Sequence, residues 1–175
     1  MTKKEIRNDM IRRRIETNSD LLKLQSQSII NQVKSDKDYK HSKVVAIFYP
    51  MSTEVDLLPL LNDKHKLFCF PRVEGEHIHF YLYDQSKPFK KSTFGVLEPD
   101  GGMCVDSNID YMLAPALAIS KEKYRVGYGK GFYDRFLKMS RPKKVMGVIY
   151  DFQELDFIPH DAYDEVLDGY YKGNL

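Results

Sequence analysis

Six consecutive residues, Val44-Val45-Ala46-Ile47-Phe48-Tyr49, are apolar, rich in β-branched and aromatic side chains, and stop at Pro50. A strand with one wet face alternates polar and apolar residues, so a run with no polar position reads as a strand covered on both faces. Strands of that kind belong to parallel sheets, whose crossover connections place helices on the two sides. Leu67-Phe68-Cys69-Phe70, ending at Pro71, reads as the next strand, and Ser52 or Thr53 can cap a short helix starting near Glu54. The segment from residue 44 to residue 71 is therefore expected to form a βαβ unit.

The rest of the chain extends that pattern. Ile109 to Ala114 and Lys144 to Tyr150 are further apolar runs of strand length, with a helix expected at Phe132 to Met139 between them. His77 to Tyr83 alternates Ile78, Phe80 and Leu82 with His79 and Tyr81, the period of a half-exposed strand, and is placed at a sheet edge. Phe89 to Met103 holds Gly95, Pro99, Gly101 and Gly102 without a steady period and reads as an ordered loop able to carry function. Before the first strand, Lys3 to Glu16 has neither Gly nor Pro and reads as a helix. Asn18-Ser19-Asp20 offers N-caps for a second, whose apolar stripe is read as Leu21, Leu24, Ser28, Ile29 and Val33. There is no internal repeat and no linker long enough to separate a pair of domains. The expectation is a single domain over residues 1–175: an α/β, open, mostly parallel sheet with helices on both faces, a Rossmann-like three-layer arrangement.

Composition agrees with a folded chain of this size. In 175 residues, 42% are hydrophobic and 30% charged, too apolar for disorder and long enough for a self-sufficient core. Charge-free runs such as Tyr111 to Ser120 fall short of the ~20 residues that span a bilayer. The opening MTKKEIRNDM lacks the apolar stretch of a secretory signal, so no membrane is expected and the cytoplasm is the expected compartment. Cys69 and Cys104 lack redox or zinc-motif spacing, and Cys69, inside an apolar run, is read as a small buried hydrophobe.

Charge is concentrated. The net charge is +2, but residues 1–14, with Lys3, Lys4, Arg7, Arg12, Arg13 and Arg14 against Glu5 and Asp9, hold +4. Such a segment can bind nucleic-acid phosphates, bind the phosphates of a small ligand, or form a solvated helix face. It carries no recognised RNA-binding signature.

Tyr124 to Arg135, YRVGYGKGFYDR, places Gly127, Gly129 and Gly131 at alternate positions around Lys130 and ahead of a helix. Glycines let backbone N–H groups approach a ligand, and a helix N-terminus adds partial positive charge, an arrangement suited to phosphate. A Walker loop would need glycine at Tyr124 and Ser or Thr at Gly131, and the dinucleotide and kinase patterns would need glycine at Phe132. A plain glycine turn competes on spacing alone. Arg125, Lys130, Asp134 and Arg135 supply a density of charge that such a turn does not require.

The string Arg125-Val126-Gly127-Tyr128-Gly129-Lys130-Gly131-Phe132-Tyr133-Asp134 resembles the signature of 5-formyltetrahydrofolate cyclo-ligases. The resemblance covers nearly the whole chain, through Lys3 with Arg7, Met51-Ser52-Thr53-Glu54-Val55-Asp56, Phe70-Pro71-Arg72 and Asp164-Glu165-Val166. Phe132 stands where tyrosine is usual, and Asp168 where threonine is often found. The resemblance implies conversion of 5-formyltetrahydrofolate and ATP to 5,10-methenyltetrahydrofolate, ADP and phosphate, with Mg²⁺, through a phosphorylated formyl (iminium phosphate) intermediate. It implies ATP binding by Lys3, Arg7, Arg125, Gly127, Tyr128, Gly129, Lys130, Gly131, Phe132 and Tyr133, with Lys130 and Arg125 catalytic. Tyr49, Met51, Glu54, Tyr128 and Phe132 would bind the folate, polyglutamated forms included, with Glu54 on the pterin ring. Asp134 and Asp164 would hold the metal. Asp134 can equally be a first-turn helix acid, Asp164 a surface acid, and His160 beside Asp161 a turn rather than a catalytic pair. A monomer without nucleic acid is expected. The alternatives are a small RNA-binding protein using the basic helix, or another ATP-dependent ligase on the same fold.

Overall fold

The computed structural model describes residues 1–175. Two helices lead, α1 (Lys3–Glu16) and α2 (Ser19–Ser35), followed by the short α3 (Lys37–His41). The strands β1 (Val44–Ala46), β2 (Leu67–Glu74), β3 (His77–Leu82), β6 (Tyr111–Pro115), β9 (Lys144–Ile149) and β11 (Gly169–Lys172) form a six-stranded sheet in the order β11-β9-β6-β1-β2-β3. Every neighbouring pair is parallel except the edge hairpin β2–β3. Two smaller sheets join it: β4 (Phe89–Lys91) with β5 (Leu97–Pro99), and β7 (Ala118–Ser120) with β8 (Arg125–Val126) and β10 (Glu154–Leu155). α4 (Phe132–Ser140) precedes β9. No helix is long and apolar enough to cross a membrane.

The continuous apolar run is explained by the two layers it serves. Val45 and Ile47 pack with Ile29, Ile30, Val33 and Tyr39 of the α2–α3 layer, while Ala46 packs with Phe136 and Leu137 of α4. Successive residues of a strand point to opposite faces, so both parities must be apolar here. α1 docks separately, Ile6 and Met10 against Leu117, Ala118, Val126 and Ile158. Its start is fixed by a capping box, with Thr2 accepting from the Glu5 N–H and Glu5 accepting from the Thr2 N–H, an arrangement that satisfies two otherwise orphaned donors.

Three expectations need correction. The stripe of α2 is not Leu21 and Leu24, which are exposed, but Leu22, Gln25, Ser26, Ile29, Ile30 and Val33. The buried polar pair explains the difference: Gln25 Oε1 accepts the Asp151 N–H at 2.8 Å and Ser26 Oγ the Asp56 N–H at 3.0 Å, so two polar residues interrupt the apolar pattern of the buried face. No helix starts near Glu54. Glu54 N–H donates to the Met51 carbonyl at 2.9 Å and its carboxylate accepts the Met51 N–H at 2.8 Å, closing a turn, after which alternate residues Val55 and Leu57 enter the core. That period of two is incompatible with a helical face, and a single 3-10 turn follows at Leu58–Asn62. The 89–103 segment is not wholly irregular, since β4 and β5 pair across Gly95.

The parallel strands alone read, in chain order, second-first-third-fourth-fifth. In such sheets ligands bind beyond the carboxyl ends of the strands where the order reverses. Here that crevice lies beyond β1 and β6, where the chain continues into Phe48, Tyr49 and Met51 on one side and Ala116 on the other.

Candidate active site

A cleft of about 760 Å³ opens there, lined from β1's exit (Phe48, Tyr49, Met51, Glu54), from α1 (Lys3, Arg7), from the hairpin β4–β5 (Phe94, Val96, Glu98), from residues 125–135 and from Asp161 to Asp164. Every residue carrying an expected ATP, folate or metal role borders it.

One end is cationic. Lys3 and Arg7, four apart on one helix face, both reach it: Arg7 Nε donates to the Gly127 carbonyl at 3.0 Å, and Lys3 Nζ sits 2.6 Å from Asp164 Oδ2. Arg125 donates from Nε and Nη2 to the Pro115 carbonyl at 3.0 and 2.8 Å and lies 5.0 Å above the Tyr133 ring. Burial pulls its pKa below the ordinary guanidinium value, opposed chiefly by the charge of Asp134. This arginine is thus a fixed charge held by a backbone oxygen, with Nη1 left for a ligand. A Cβ at residue 127 would stand 2.7 Å from Arg125 Nη2, so glycine is what lets the guanidinium lie against the loop. Gly129, at φ +95°, takes a conformation that other residues rarely adopt, and a Cβ there would press on Arg7 at 3.2 Å. α4 then starts with no side-chain cap, leaving its first N–H groups and the positive end of its dipole for an anion. Lys130 is exposed, its ammonium 5.4 Å from the Phe94 ring.

The remaining wall is largely apolar with two acids, Glu54 and Glu98, the latter accepting the Val73 N–H at 2.9 Å. Tyr49 packs on Phe89, ring centroids 5.6 Å apart, and Phe132 on Phe94 at 5.9 Å. Glu54 accepts one hydrogen bond, from Met51 N–H. Burial raises its pKa above the ordinary 4.5, the Met51 bond and the charges of Arg14 and Arg125 pulling the other way. A carboxylate so placed gains from any ligand that brings it N–H donors.

Asp164 and Asp134 border the cleft beside the cationic group, both acting on the charge of Arg125. Burial opposes ionisation of Asp164, but the hydrogen bonds from Lys3 and the Asp161 N–H together take its pKa below the ordinary value. Asp134 Oδ1 accepts the Glu165 N–H at 3.1 Å, which ties the start of α4 to the 161–165 turn. His160 stacks on Tyr124 at 3.7 Å and 7°, while Asp161 Oδ1 accepts the Tyr163 N–H, so the pair serves the turn. Asp168 accepts the Val145 N–H at 2.7 Å, anchoring the start of β9.

Sequence reasoning overlooked Arg14. It is 4% exposed and donates to Thr53 Oγ1 (3.2 and 3.0 Å) and to Tyr128 Oη (3.0 Å), joining the Glu54 turn to the glycine loop. Its place in a basic cluster hid it, and the helical spacing Arg7, Met10, Arg14 was the available signal. With Lys3, Arg7 and Arg14 turned inward, Arg12 paired to Asp9 and Glu16 and Arg13 lying over Phe152, most of the basic charge of α1 has partners within the molecule.

The 5-formyltetrahydrofolate cyclo-ligase family profile matches residues 1–170. A 5-formyltetrahydrofolate cyclo-ligase of Mycoplasma genitalium is 31% identical over 131 residues, 72% of this chain and 70% of that one. The structure of Aquifex aeolicus 5,10-methenyltetrahydrofolate synthetase superposes with a TM-score of 0.87 at 35% identity, covering 98% of this chain and 90% of that one. A 5,10-methenyltetrahydrofolate synthetase from Mycoplasma pneumoniae shares the fold, with a TM-score of 0.78 at 24% identity over 97% and 98% of the two chains. The match runs through the helix, glycine loop and acidic turn that build the cleft, and the chain is an enzyme belonging to the 5-formyltetrahydrofolate cyclo-ligase family.

Proposed function

We propose that this enzyme cyclises 5-formyltetrahydrofolate to 5,10-methenyltetrahydrofolate with conversion of ATP to ADP and phosphate. The observation that carries the reading is one cleft that joins a cationic glycine loop to an aromatic wall holding the under-bonded carboxylate of Glu54. An N-formyl oxygen is a poor leaving group. Transfer of the terminal phosphoryl group to it gives an iminium phosphate, attack by N10 closes the ring, and the formyl oxygen departs in the phosphate. Such a sequence asks the protein to align two ligands and neutralise moving charge.

Arg125, the 127–131 backbone and the start of α4 bind the phosphate chain, with Lys3 and Arg7 completing the cationic wall. Lys130, unencumbered by hydrogen bonds, follows the migrating group as a point charge. The Tyr133 ring lies beneath Arg125. Glu54 accepts the paired N–H donors of the pterin edge, between Tyr49, Met51, Tyr128 and Phe132. The carboxylates of Asp134 and Asp164 form an all-oxygen donor set suited to Mg²⁺, and Lys3 neutralises Asp164 in its place. Mg²⁺ bound there would neutralise phosphate charge. A monomer is the proposed working unit, and the exposed thiol Cys104 suits a reducing cytoplasm.

The test incubates the purified protein with 5-formyltetrahydrofolate, with and without ATP and Mg²⁺, and follows the near-ultraviolet absorbance of the methenyl product. Product requiring both supports the assignment. Product without nucleotide overturns it.

A further inference from the structure

Away from the cleft, His79, Cys104 and Asp106 bring a ring nitrogen, a thiol sulfur and a carboxylate oxygen within 4.8 Å of one another. None of the three borders the cleft. β3 is the edge of the main sheet, and residues 103–105 run antiparallel along it: Leu82 N–H donates to the Met103 carbonyl at 2.9 Å, Val105 N–H to the Phe80 carbonyl at 2.8 Å, and Cys104 stands opposite Tyr81. Asp106 then turns back, its Oδ1 accepting the Phe80 N–H at 2.6 Å and its Oδ2 lying 2.6 Å from His79 Nδ1. His79 and Cys104 therefore hang from paired backbone, and the Asp106 carboxylate is oriented by a backbone donor on the oxygen that faces away from the imidazole. A held outer partner of this kind is what fixes the orientation of ligating side chains.

We propose that His79 Nδ1, Cys104 Sγ and Asp106 Oδ2 bind one zinc-class divalent cation, with water as the fourth ligand. Mixed nitrogen, sulfur and oxygen donors select zinc over magnesium, which favours an all-oxygen octahedron. Bonds of ~2.0–2.3 Å in a tetrahedron put neighbouring ligand atoms ~3.3–3.6 Å apart, so the imidazole and carboxylate must separate by less than about 1 Å. Side-chain rotation suffices. As the metal bonds form, the thiol proton leaves to solvent and the Nδ1 proton held by Asp106 gives way to the Nε2–H tautomer of His79, which frees the Nδ1 lone pair. The ion fastens residues 103–106 to the sheet edge, directly after the β4–β5 hairpin that carries Phe94 and Val96 over the cleft.

The experiment uses the two thiols' different exposure. Cys69 is fully buried and Cys104 exposed, so alkylation of the full native chain by iodoacetamide reports Cys104. One equivalent of Zn²⁺ is expected to slow labelling at least tenfold, equal or greater Mg²⁺ to leave it unchanged, and His79→Gln to label at the metal-free rate with or without Zn²⁺. As a second measurement, Co²⁺ added to the unmutated protein should develop a thiolate-to-cobalt charge-transfer band and the intense visible bands of four-coordinate cobalt. Labelling indifferent to Zn²⁺, equal protection in the His79→Gln protein, or absence of the charge-transfer band would each overturn the proposal.

Discussion

The two ends of the parallel sheet hold carboxylates in opposite conditions. At the end where β6 and β9 start, Asp36 accepts from Tyr171 Oη (2.7 Å), Tyr111 Oη (2.8 Å), Lys144 Nζ (3.0 Å) and the Asp38 N–H (3.1 Å). Burial works against its charge, but the two tyrosines and the lysine more than offset this, and its pKa falls from 3.8 to about 2. At the other end Glu54 is half-buried with one hydrogen bond, and its pKa rises. The sheet thus satisfies an acid where strands begin and under-satisfies one where they end. Glu54 has fewer donors than Asp36, an arrangement expected at functional positions.

Four measurements can break or sharpen that contrast. The largest effect is expected at the cleft's cationic end: Lys130→Met should lower kcat ~100- to 1000-fold, the loss for one preorganised donor, while the melting temperature stays put because the residue is exposed. Near-normal kcat in the folded variant would remove Lys130 from the phosphate path. Next, Asp36→Ala should cost about 2–4 kcal/mol in denaturant unfolding by stranding buried hydroxyls and Lys144, with kcat and KM unchanged well below the midpoint. The unmutated protein offers a check through acid. A carboxyl whose pKa is lowered on folding adds stability above its unfolded value, and that share, about 2 kcal/mol, should drain away as pH falls from 3.8 towards 2. In the third, Glu54→Gln should raise KM for the folate ~10- to 100-fold with a smaller change in kcat and no loss of stability, since a costly buried charge is removed. Folate KM of the unmutated protein should fall as pH rises through the elevated Glu54 pKa, and the variant's profile should be flat. An equally sloped profile would place the titration elsewhere. The smallest, Lys3→Met, should weaken ATP binding ~5- to 10-fold in direct titration, because its ammonium already neutralises Asp164 and only a fraction of its charge faces the phosphates.

Much of this was legible in the residues alone, for reasons that differ by region. The 44–49 run announced a doubly covered strand because both parities were apolar, and α1 matched Lys3–Glu16 because Thr2, Glu5 and the absence of Gly and Pro agree on one structure. α2 was misread by about one position because Gln25 and Ser26 work from its buried face as hydrogen-bond partners for distant backbone, a long-range demand that periodicity cannot register. β4 and β5 have three residues each, too few to display a period. In the cleft, the glycine loop was readable as a motif, Glu54 only through the resemblance since its turn reads as a helix start, whereas Arg14 is invisible among its basic neighbours until Thr53 and Tyr128 are brought to it.

Lys3 and Asp164 touch across 161 residues of chain, and that pairing sets the order of events during synthesis. A growing polypeptide exposes α1 long before the acidic turn it must meet exists, and the Leu117, Val126 and Ile158 surface that receives Ile6 and Met10 is also late. Contacts of such long sequence separation are closed late and slowly. The helix must therefore wait undocked while the later chain is made, and the Lys3–Asp164 contact closes only once the chain has been made as far as Asp164.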